Sequence, residues 1–402
     1  MRLTCDSGDL AAALGGVMRA VSSRTSLPVL GTVLLEATGE ELLLTGTNLE
    51  LTIRRRIAAD VAVDGGVAIP ARLLAEFSGA IPHERLRLDL EQPGSRLRLR
   101  SDTFTSEIHG VPAGEFPPGA GAAGGSRLAL PAQQLLGAIT DTLVAASTDE
   151  ARPALTGVRL EIEGSRLVLA ATDGHRMAVR RVELGVGQSL RTPGIIVPAR
   201  TMAEVVRLFR STDGDLEVAV SAQGNEVFFE APGAEIASRV IDGAYPDHRR
   251  LVPTRFATRV TVSAAELSGR LRALAPFAHS SANVVRLAVM QRSIVLSAAT
   301  IDVGSAETEL EAAVAGGETR VAFNARFLLD CPALSTEERV ELHLQGPMGA
   351  CVVRRTTAPV STDAAQRCPG ERVRGGYRRD DYTYLFMPIR YPAQPEVRAA
   401  AG

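Results

Sequence analysis

Three stretches of the sequence decide the fold: LLLTGTNLEL at 42–51, LVLAATDGHR at 167–176 and IVLSAATID at 294–302. Each is an apolar run followed by a cluster of turn-forming residues, the pattern of a β-strand that ends in a turn. Leu44, Leu169 and Leu296 occupy the same place in each stretch and lie 125 and 127 residues apart. The chain therefore carries one segment three times.

A second motif follows each stretch, at 69–77 (IPARLLAEF), 197–205 (VPARTMAEV) and 323–330 (FNARFLLD). A third motif precedes each stretch. It places apolar residues three or four positions apart, as amphipathic helices do: Leu10, Leu14 and Val17; Leu135, Ile139 and Leu143; Leu267, Leu271 and Leu274. Chance similarity of leucine-rich segments is the alternative, but three motifs in the same order favour duplication. The period is too long for a solenoid, whose repeats have about 20–50 residues.

Between the helical motifs, apolar residues alternate with polar ones, as at Leu86, Leu88 and Leu90. Such alternation is typical of strands with one buried face. Each copy is predicted to be an α+β domain with many short antiparallel strands and two helices on one side. We place the three domains at 1–122, 126–252 and 255–402, with linkers at 117–125 and near 245–253.

Composition excludes several classes of protein. The 402 residues include 45% hydrophobic and 22% charged residues with a net charge of −2, which argues against a strongly cationic nucleic-acid coat or a polybasic membrane binder. All 44 basic residues are arginine. A local basic face remains compatible with the net charge of −2. We expect a cytoplasmic protein without a membrane segment, since no apolar run of about 18 residues and no signal peptide is evident. The four cysteines lack CxxC spacing, so we expect free thiols, no metal site and no cofactor.

No catalytic motif is present, neither GxSxG, GxxxxGK[ST] nor HExxH. Asp173 and His175 are the residues that a hydrolase would use as acid and base, but Asp-Gly-His is also a common turn. We favour the turn. Several arginines lie on or near predicted helices and would bind phosphates without reading bases if they shared one face: Arg24, Arg72, Arg200, Arg207 and Arg210. Solvated helix charges are the equal alternative, since Glu76 and Glu204 lie on the same helices.

The segments 27–30 (LPVL), 44–50 (LTGTNLE), 153–158 (PALTGV), 171–177 (ATDGHRM), 241–247 (IDGAYPD) and 387–390 (MPIR) together resemble the bacterial sliding clamp family, the β subunit of DNA polymerase III. The resemblance extends from the N-terminus to about residue 391. It implies three clamp domains that form half of a head-to-tail homodimeric ring around double-stranded DNA, bound without sequence preference. It also implies a non-catalytic, nucleoid-associated subunit.

The resemblance further implies a pocket that binds short linear peptides of the DNA polymerase III alpha subunit, the clamp loader and other partners. The positions carried over are Leu155, Thr172, Gly174, His175, Arg176, Met177, Pro246, Arg250, Leu251, Asn324, Phe327, Met348, Met387, Pro388, Ile389 and Arg390. Apolar members such as Leu251 would receive a leucine or phenylalanine of the peptide. Methionines would adapt the pocket to several partners. Ordinary core packing is the alternative for Met177 and Met387.

The resemblance implies that Arg24 contacts DNA and that the dimer interface contains Phe104, Ile108 and Phe277. Two segments depart from the family pattern, the long arginine-rich stretch 354–381 and the extension 391–402. Both could overlie the pocket. They leave open a second reading, a specialised clamp copy that serves repair or resists an inhibitor of the ordinary clamp.

Overall fold

The computed structural model describes residues 1–22, 25–81, 84–91, 95–119, 125–185, 194–279, 282–300, 304–331, 333–356 and 382–390. The chain divides into two compact units. Unit 1 comprises Met1–Thr140, Arg159–Leu167 and Val182–Gly243, and unit 2 comprises Asp141–Val158, Val168–Arg181 and Ala244–Gly402.

Eight α-helices lie within the described residues: α1 (Ser7–Val17), α2 (Ala71–Ala80), α3 (Ala132–Leu143), α4 (Ala199–Leu208), α5 (His248–Leu251), α6 (Ala264–His279), α7 (Ala325–Leu329) and α8 (Ala333–Thr336). The prediction of two helices in each copy is confirmed, by α1 and α2, α3 and α4, and α6 and α7. None of these helices combines the length and the apolar character that a membrane span requires.

The helical motifs explain where these helices begin and which face they bury. Leu10, Leu14 and Val17 of α1 are fully buried. Arg72, Arg200 and Arg326 are each the second residue of the later helix in their copy, and all three are exposed. The third copy departs from the expected pattern, since α7 has only five residues and the chain forms α8 after it.

The strands, in chain order, are β1 (Arg2–Asp6), β2 (Thr32–Thr38), β3 (Glu41–Thr47), β4 (Leu51–Ala58), β5 (Asp60–Val63), β6 (Gly65–Pro70), β7 (Arg85–Glu91), β8 (Arg96–Arg100), β9 (Thr105–His109), β10 (Val111–Pro112), β11 (Ser126–Pro131), β12 (Gly157–Glu163), β13 (Arg166–Thr172), β14 (Arg176–Glu183), β15 (Ile195–Pro198), β16 (Asp215–Val220), β17 (Glu226–Ala231), β18 (Ala234–Arg239), β19 (Thr258–Ser263), β20 (Val284–Val289), β21 (Ser293–Thr300), β22 (Gly304–Glu311), β23 (Ala313–Gly316), β24 (Thr319–Asn324), β25 (Arg339–Leu344), β26 (Cys351–Arg355) and β27 (Tyr382–Phe386). The period-two alternation predicted strands such as β7 and β25 correctly.

Unit 1 contains two antiparallel sheets. One has the strand order β5-β1-β7-β8-β9, and the other has the order β10-β6-β2-β3-β4-β18-β17-β16-β11. In the second sheet, β4 of the first copy pairs directly with β18 of the second copy, with Ile53 opposite Ile236. We call this pairing the first junction. The sheet therefore continues from the first copy into the second.

Unit 2 repeats this arrangement. Strand β14 pairs with β27 from Arg176 opposite Phe386 to Arg180 opposite Tyr382, and we call this pairing the second junction. The sheet continues through β26, β25, β19 and β23, and a separate sheet has the order β22-β21-β20-β24. All five residues of β27 are buried, and the Phe386 ring packs edge-on against Phe323 with centroids 4.8 Å apart.

Cys5, Cys331 and Cys351 are free and buried, as the sequence predicted, while Cys368 lies outside the described residues. Burial raises the pKa of the Cys331 thiol to about 11 and that of Cys5 to about 12. Both thiols are therefore protonated at neutral pH and act as packing groups rather than nucleophiles.

The packing of α1 on β3 depends on Gly46. A Cβ at this position would lie 2.6 Å from Val17 Cγ1 and 2.8 Å from the Val17 carbonyl oxygen. Gly46→Ala should therefore cost about 1–3 kcal/mol of unfolding free energy in urea denaturation. Gly15→Ala is the matched control, since nothing lies within 4 Å of its Cβ position in α1. It should stabilise the protein by about 0.5–1 kcal/mol. Equal effects of the two substitutions would contradict this account.

Candidate functional site

The turn between β13 and β14 is built by side-chain hydrogen bonds. Asp173 Oδ1 accepts from the backbone N–H groups of His175 at 2.8 Å and Arg176 at 2.9 Å. Thr172 Oγ1 accepts from the N–H of Gly174, whose φ of +92° favours glycine. Asp173 Oδ2 accepts from Arg176 Nε at 3.0 Å. The carboxylate thus shapes the turn and binds an arginine, so the turn interpretation of Asp173 and His175 agrees with the geometry.

The residues after β27 run alongside this turn. The Met387 N–H donates to the His175 carbonyl oxygen at 2.8 Å, and the Ile389 N–H donates to the Ala322 carbonyl oxygen at 2.8 Å. Pro388 and Ile389 are half-buried, and Arg390 is exposed. This stretch is therefore tied to the central copy on one side and to β24 of the third copy on the other.

Arg176 links the turn to helix α7. Its Nη1 donates to Asp330 Oδ2 at 2.6 Å, and its Cζ lies 4.8 Å from the centroid of the Phe327 ring. The same Nη1 lies 3.4 Å from the Tyr384 hydroxyl. Asn324 caps α7 by accepting from the Arg326 N–H at 2.9 Å. The carried-over positions Arg176, Asn324 and Phe327 are thus brought together by α7.

Met177 and Met387 have different environments. Met177 is 3% exposed and packs in a core cluster with Val168, Ala170, Val179, Val252, Ala350, Val352 and Leu385. Core packing, the alternative for both methionines, therefore describes Met177. Met387 is 43% exposed, and Leu251 and Met348 are similarly exposed apolar side chains. Leu155 and Thr172 are buried, while Pro246 and Arg250 lie at the surface.

The stretch 245–253, predicted as a linker, contains the short helix α5 and is fixed to the central copy. The Tyr245 hydroxyl accepts from the Thr172 N–H at 3.1 Å and donates to the Ala170 carbonyl oxygen at 3.2 Å. Tyr245, Asp330 and Tyr384 are contributors that sequence reasoning missed. Tyr245 and Asp330 lie within the motifs at 241–247 and 323–330, and Tyr384 lies outside all of them. Asp330 and Tyr384 acquire their role from contacts between distant segments.

Two arginines of unit 1 contact one carboxylate, and a third arginine contacts the backbone of one of them. Glu204 accepts from Arg207 Nη1 at 2.6 Å and lies 3.5 Å from Arg19 Nε. Arg200 Nη2 donates to the Arg19 carbonyl oxygen at 3.4 Å. We call Arg19, Arg200, Arg207 and Glu204 the arginine cluster, and it carries a formal net charge of +2.

The other candidate DNA contacts are not part of the contacts that define this cluster. Arg72 forms an i,i+4 ion pair with Glu76, with 2.8 Å between Nε and Oε1, and Arg210 is exposed. Arg24 lies outside the described residues.

The candidate dimer residues differ in exposure. Phe104 is exposed just before the edge strand β9, and Phe277 of α6 is half-buried. Ile108 is 3% exposed, because its side chain points to the inner face of the sheet opposite Leu97, so it offers little surface to a second protomer. The departures at 357–381 and 391–402 lie outside the described residues.

Comparison with protein families identifies the chain. Models of the DNA polymerase III beta subunit match in order along it, the N-terminal domain at residues 1–119, the central domain at 129–247 and the C-terminal domain at 249–365. The beta sliding clamp of Synechocystis sp. is 33% identical over 349 residues, which cover 82% of this chain and 89% of the relative. The chain belongs to the DNA polymerase III beta subunit family.

Other members of the family are also similar to this chain in sequence and in structure. The Caulobacter vibrioides beta sliding clamp is 31% identical over 88% of this chain and 95% of its own length. A Caulobacter crescentus beta sliding clamp structure aligns with a TM-score of 0.86 and 29% identity over 97% of this chain and 99% of that one. The Pseudomonas aeruginosa beta subunit bound to griselimycin aligns with a TM-score of 0.87 and 25% identity over 97% of this chain and 100% of that one.

The function follows from this membership. The protein is a DNA sliding clamp, a non-catalytic processivity factor of DNA polymerase III, with three α+β clamp domains. The predicted family, fold class and function are therefore confirmed. The comparisons favour neither a hydrolase nor a specialised clamp copy.

The two equivalent turns allow a test of the role of Asp173. Asn48 in the first copy accepts from the N–H groups of Glu50 and Leu51, as Asp173 does from those of His175 and Arg176. Asn48→Ala should cost about 1–2 kcal/mol of unfolding free energy. Asp173→Ala should cost about 1 kcal/mol more, because it also leaves Arg176 without one partner. Urea denaturation of both variants measures the difference, and an equal loss would contradict the ion-pair contribution.

Proposed function

We propose that two copies of this clamp close head to tail into a ring around double-stranded DNA, at the nucleoid of the cytoplasm. The observation that carries the proposal is the set of three clamp domains in order along one chain. A closed ring holds DNA by topology, so it needs only loose, sequence-independent contacts with the backbone. We place the domains at 1–122, 126–252 and 255–402.

The strand pairing supports the head-to-tail contact. At both junctions, the strand that follows the turn of one copy pairs with the last strand of the next copy, as in β4 with β18 and β14 with β27. In the third copy the strand that follows β21 is β22. In the first copy the strand that corresponds to β18 and β27 is β9, which is followed only by the two-residue β10. Both β22 and β9 are edge strands within the described sheets. Pairing of β22 with β9 of a second protomer would form the same junction between chains.

Charge and exposed apolar surface favour the same contact. Strand β22 exposes Glu307, Glu309 and Glu311. Strand β8, next to β9, carries Arg96, Arg98 and Arg100. Arg96 and Arg98 pair with Glu107 of β9, and Arg98 also pairs with Glu91, so three arginines against two glutamates leave this edge with a small excess of positive charge. Phe104 is exposed beside β9 and supplies an apolar group. Complementary charges steer association and fix its direction, and an apolar centre supplies affinity.

We assign DNA contacts to Arg24, Arg72, Arg200, Arg207 and Arg210. The described members are exposed, and the arginine cluster keeps a net positive charge because it contains three guanidinium groups and one carboxylate. Ion pairs with Glu76 and Glu204 hold side chains at the surface without neutralising the whole set. Contacts of this kind weaken as salt rises, which suits a clamp that slides.

We further propose that the surface around Arg176, Phe327 and Met387 binds short peptides of the DNA polymerase III alpha subunit and the clamp loader. Exposed Leu251, Met348 and Met387 offer apolar contacts. Each lies within two residues of a member of the core cluster that contains Met177, namely Val252, Ala350 and Leu385. His175, Arg250 and Arg390 provide a polar rim. Met177 supports this surface from the core beneath it rather than contacting the peptide.

Topological binding can be tested on closed and open DNA. Protein loaded by a clamp loader onto nicked circular DNA should co-elute with the DNA in gel filtration and should be lost after linearisation. Replacing Arg200 and Arg207 with alanine should shorten retention on the circle, with the larger effect at low salt. Equal retention on circular and linear DNA would contradict the ring.

The dimer contact can be tested by introducing a single charged side chain at either edge of the sheet that contains β9 and β5. Phe104→Glu should reduce the mass in sedimentation equilibrium from about twice 42.5 kDa to that of one chain. Val63→Glu is the control, because Val63 is also exposed but lies on β5, at the opposite edge of the same sheet. A monomer with Val63→Glu and a dimer with Phe104→Glu would place the interface at β5 instead.

A further inference from the structure

The two junctions repeat the same backbone hydrogen bonds. At each junction, the residue that ends or directly follows the last strand donates its backbone N–H to a carbonyl oxygen of the turn. The residue two positions later donates its N–H to a carbonyl oxygen of the strand that precedes α4 or α7. The first junction has Arg239 N–H to Glu50 O at 2.9 Å and Ile241 N–H to Ile196 O at 2.8 Å, and the second has Met387 N–H to His175 O at 2.8 Å and Ile389 N–H to Ala322 O at 2.8 Å. One backbone scaffold is therefore used twice.

The side chains on this scaffold differ. The first residue after the turn is Leu51 at the first junction and Arg176 at the second. The third residue of the neighbouring helix is Thr201 in α4 and Phe327 in α7. Three residues further along the chain, the first junction has Glu204 and the second has Asp330. Leu51 and Thr201 are buried, and Glu204 binds arginines of its own unit. Only the second junction joins a guanidinium, an aromatic ring and a carboxylate.

These three groups form one connected arrangement. Arg176 Nη1 lies 2.6 Å from Asp330 Oδ2, and Arg176 Cζ lies 4.8 Å from the Phe327 ring centroid. The Arg176 side chain is 14% exposed, whereas that of Asp330 is 45% exposed. An arginine over an aromatic ring gains from cation–π contact, and a carboxylate fixes the rotation of its planar guanidinium group. Asp330 therefore holds Arg176 against Phe327 from the solvent side.

We propose that Asp330 is a positioning residue of the peptide-binding surface, fixing the Phe327 ring through Arg176 without contacting the peptide itself. This inference rests on the peptide-binding role proposed above. A fixed Phe327 ring presents a surface of defined shape to a peptide side chain. Peptide binding then does not pay the entropic cost of ordering the ring. Without the Asp330 charge, Arg176 keeps its ion pair with Asp173 but loses its ion pair at the end of α7. Only the stacking contact then holds Arg176 against the Phe327 ring, and the ring can turn more freely.

The test measures peptide affinity and stability separately. A fluorescein-labelled peptide carrying the clamp-binding segment of the DNA polymerase III alpha subunit is titrated into the full-length protein and followed by fluorescence anisotropy. Asp330→Asn should raise Kd about three- to tenfold while Tm stays nearly constant, since a half-exposed ion pair adds little stability. Asp330→Glu should restore part of the affinity. Glu318→Gln, which removes an exposed charge elsewhere in the third copy, should leave Kd unchanged.

A second measurement reports on the ring directly. With 4-fluorophenylalanine at position 327, the ¹⁹F resonance should sharpen or shift in Asp330→Asn but not in Glu318→Gln. Unchanged Kd and ¹⁹F spectrum in Asp330→Asn, with tight binding by the parent protein, would overturn the positioning role alone. Failure of the parent protein to bind the peptide would overturn the peptide-binding proposal. Equal losses of affinity in Asp330→Asn and Glu318→Gln would indicate general charge attraction and overturn the positioning role.

Discussion

The edge-to-edge strand pairing at the junctions is the constraint on which the structure of each unit depends. Five residues of β14 pair with β27, and the turn before β14 then receives the Met387 N–H. Backbone pairing of this kind satisfies polar groups that would otherwise be buried without partners. It also fixes register, because a shift of one residue would turn the buried side chains of β27 to the opposite face. The candidate peptide surface is therefore positioned by main-chain geometry first.

The parts of this structure that the sequence predicted are those governed by short-range periodicity. The spacing of Leu10, Leu14 and Val17 located α1 because helical geometry turns that spacing into one buried face. The repeated Ala-Arg pair marked the start of α2, α4 and α7 because a helix start depends on local backbone conformation. The repeat itself, read from these motifs, implied duplicated domains before any contact between them was known.

The features that the sequence did not reveal depend on contacts between distant segments. Asp330 lies 154 positions from Arg176, and no local pattern indicates that they meet. Met177 and Met387 look equivalent in the sequence, yet strand pairing directs one into the core and leaves the other at the surface. Ile108 is the one aliphatic residue of β9, and only its position opposite Leu97 in the sheet shows that this side chain faces inward.

Duplication also explains how one scaffold supports different surfaces. The turns at Asn48 and Asp173 accept the same pair of backbone N–H groups, so either residue satisfies the fold. Only aspartate adds a charge that can bind Arg176. At the position where the second copy has Gly174, the first copy holds Leu49 at a φ of +76°, a conformation that disfavours leucine. The backbone pairing thus tolerates a strained residue in one copy, while the other copy keeps glycine beside the proposed peptide surface. Stability is supplied by shared main-chain bonds, and the side chains at the second junction are free to diverge toward binding.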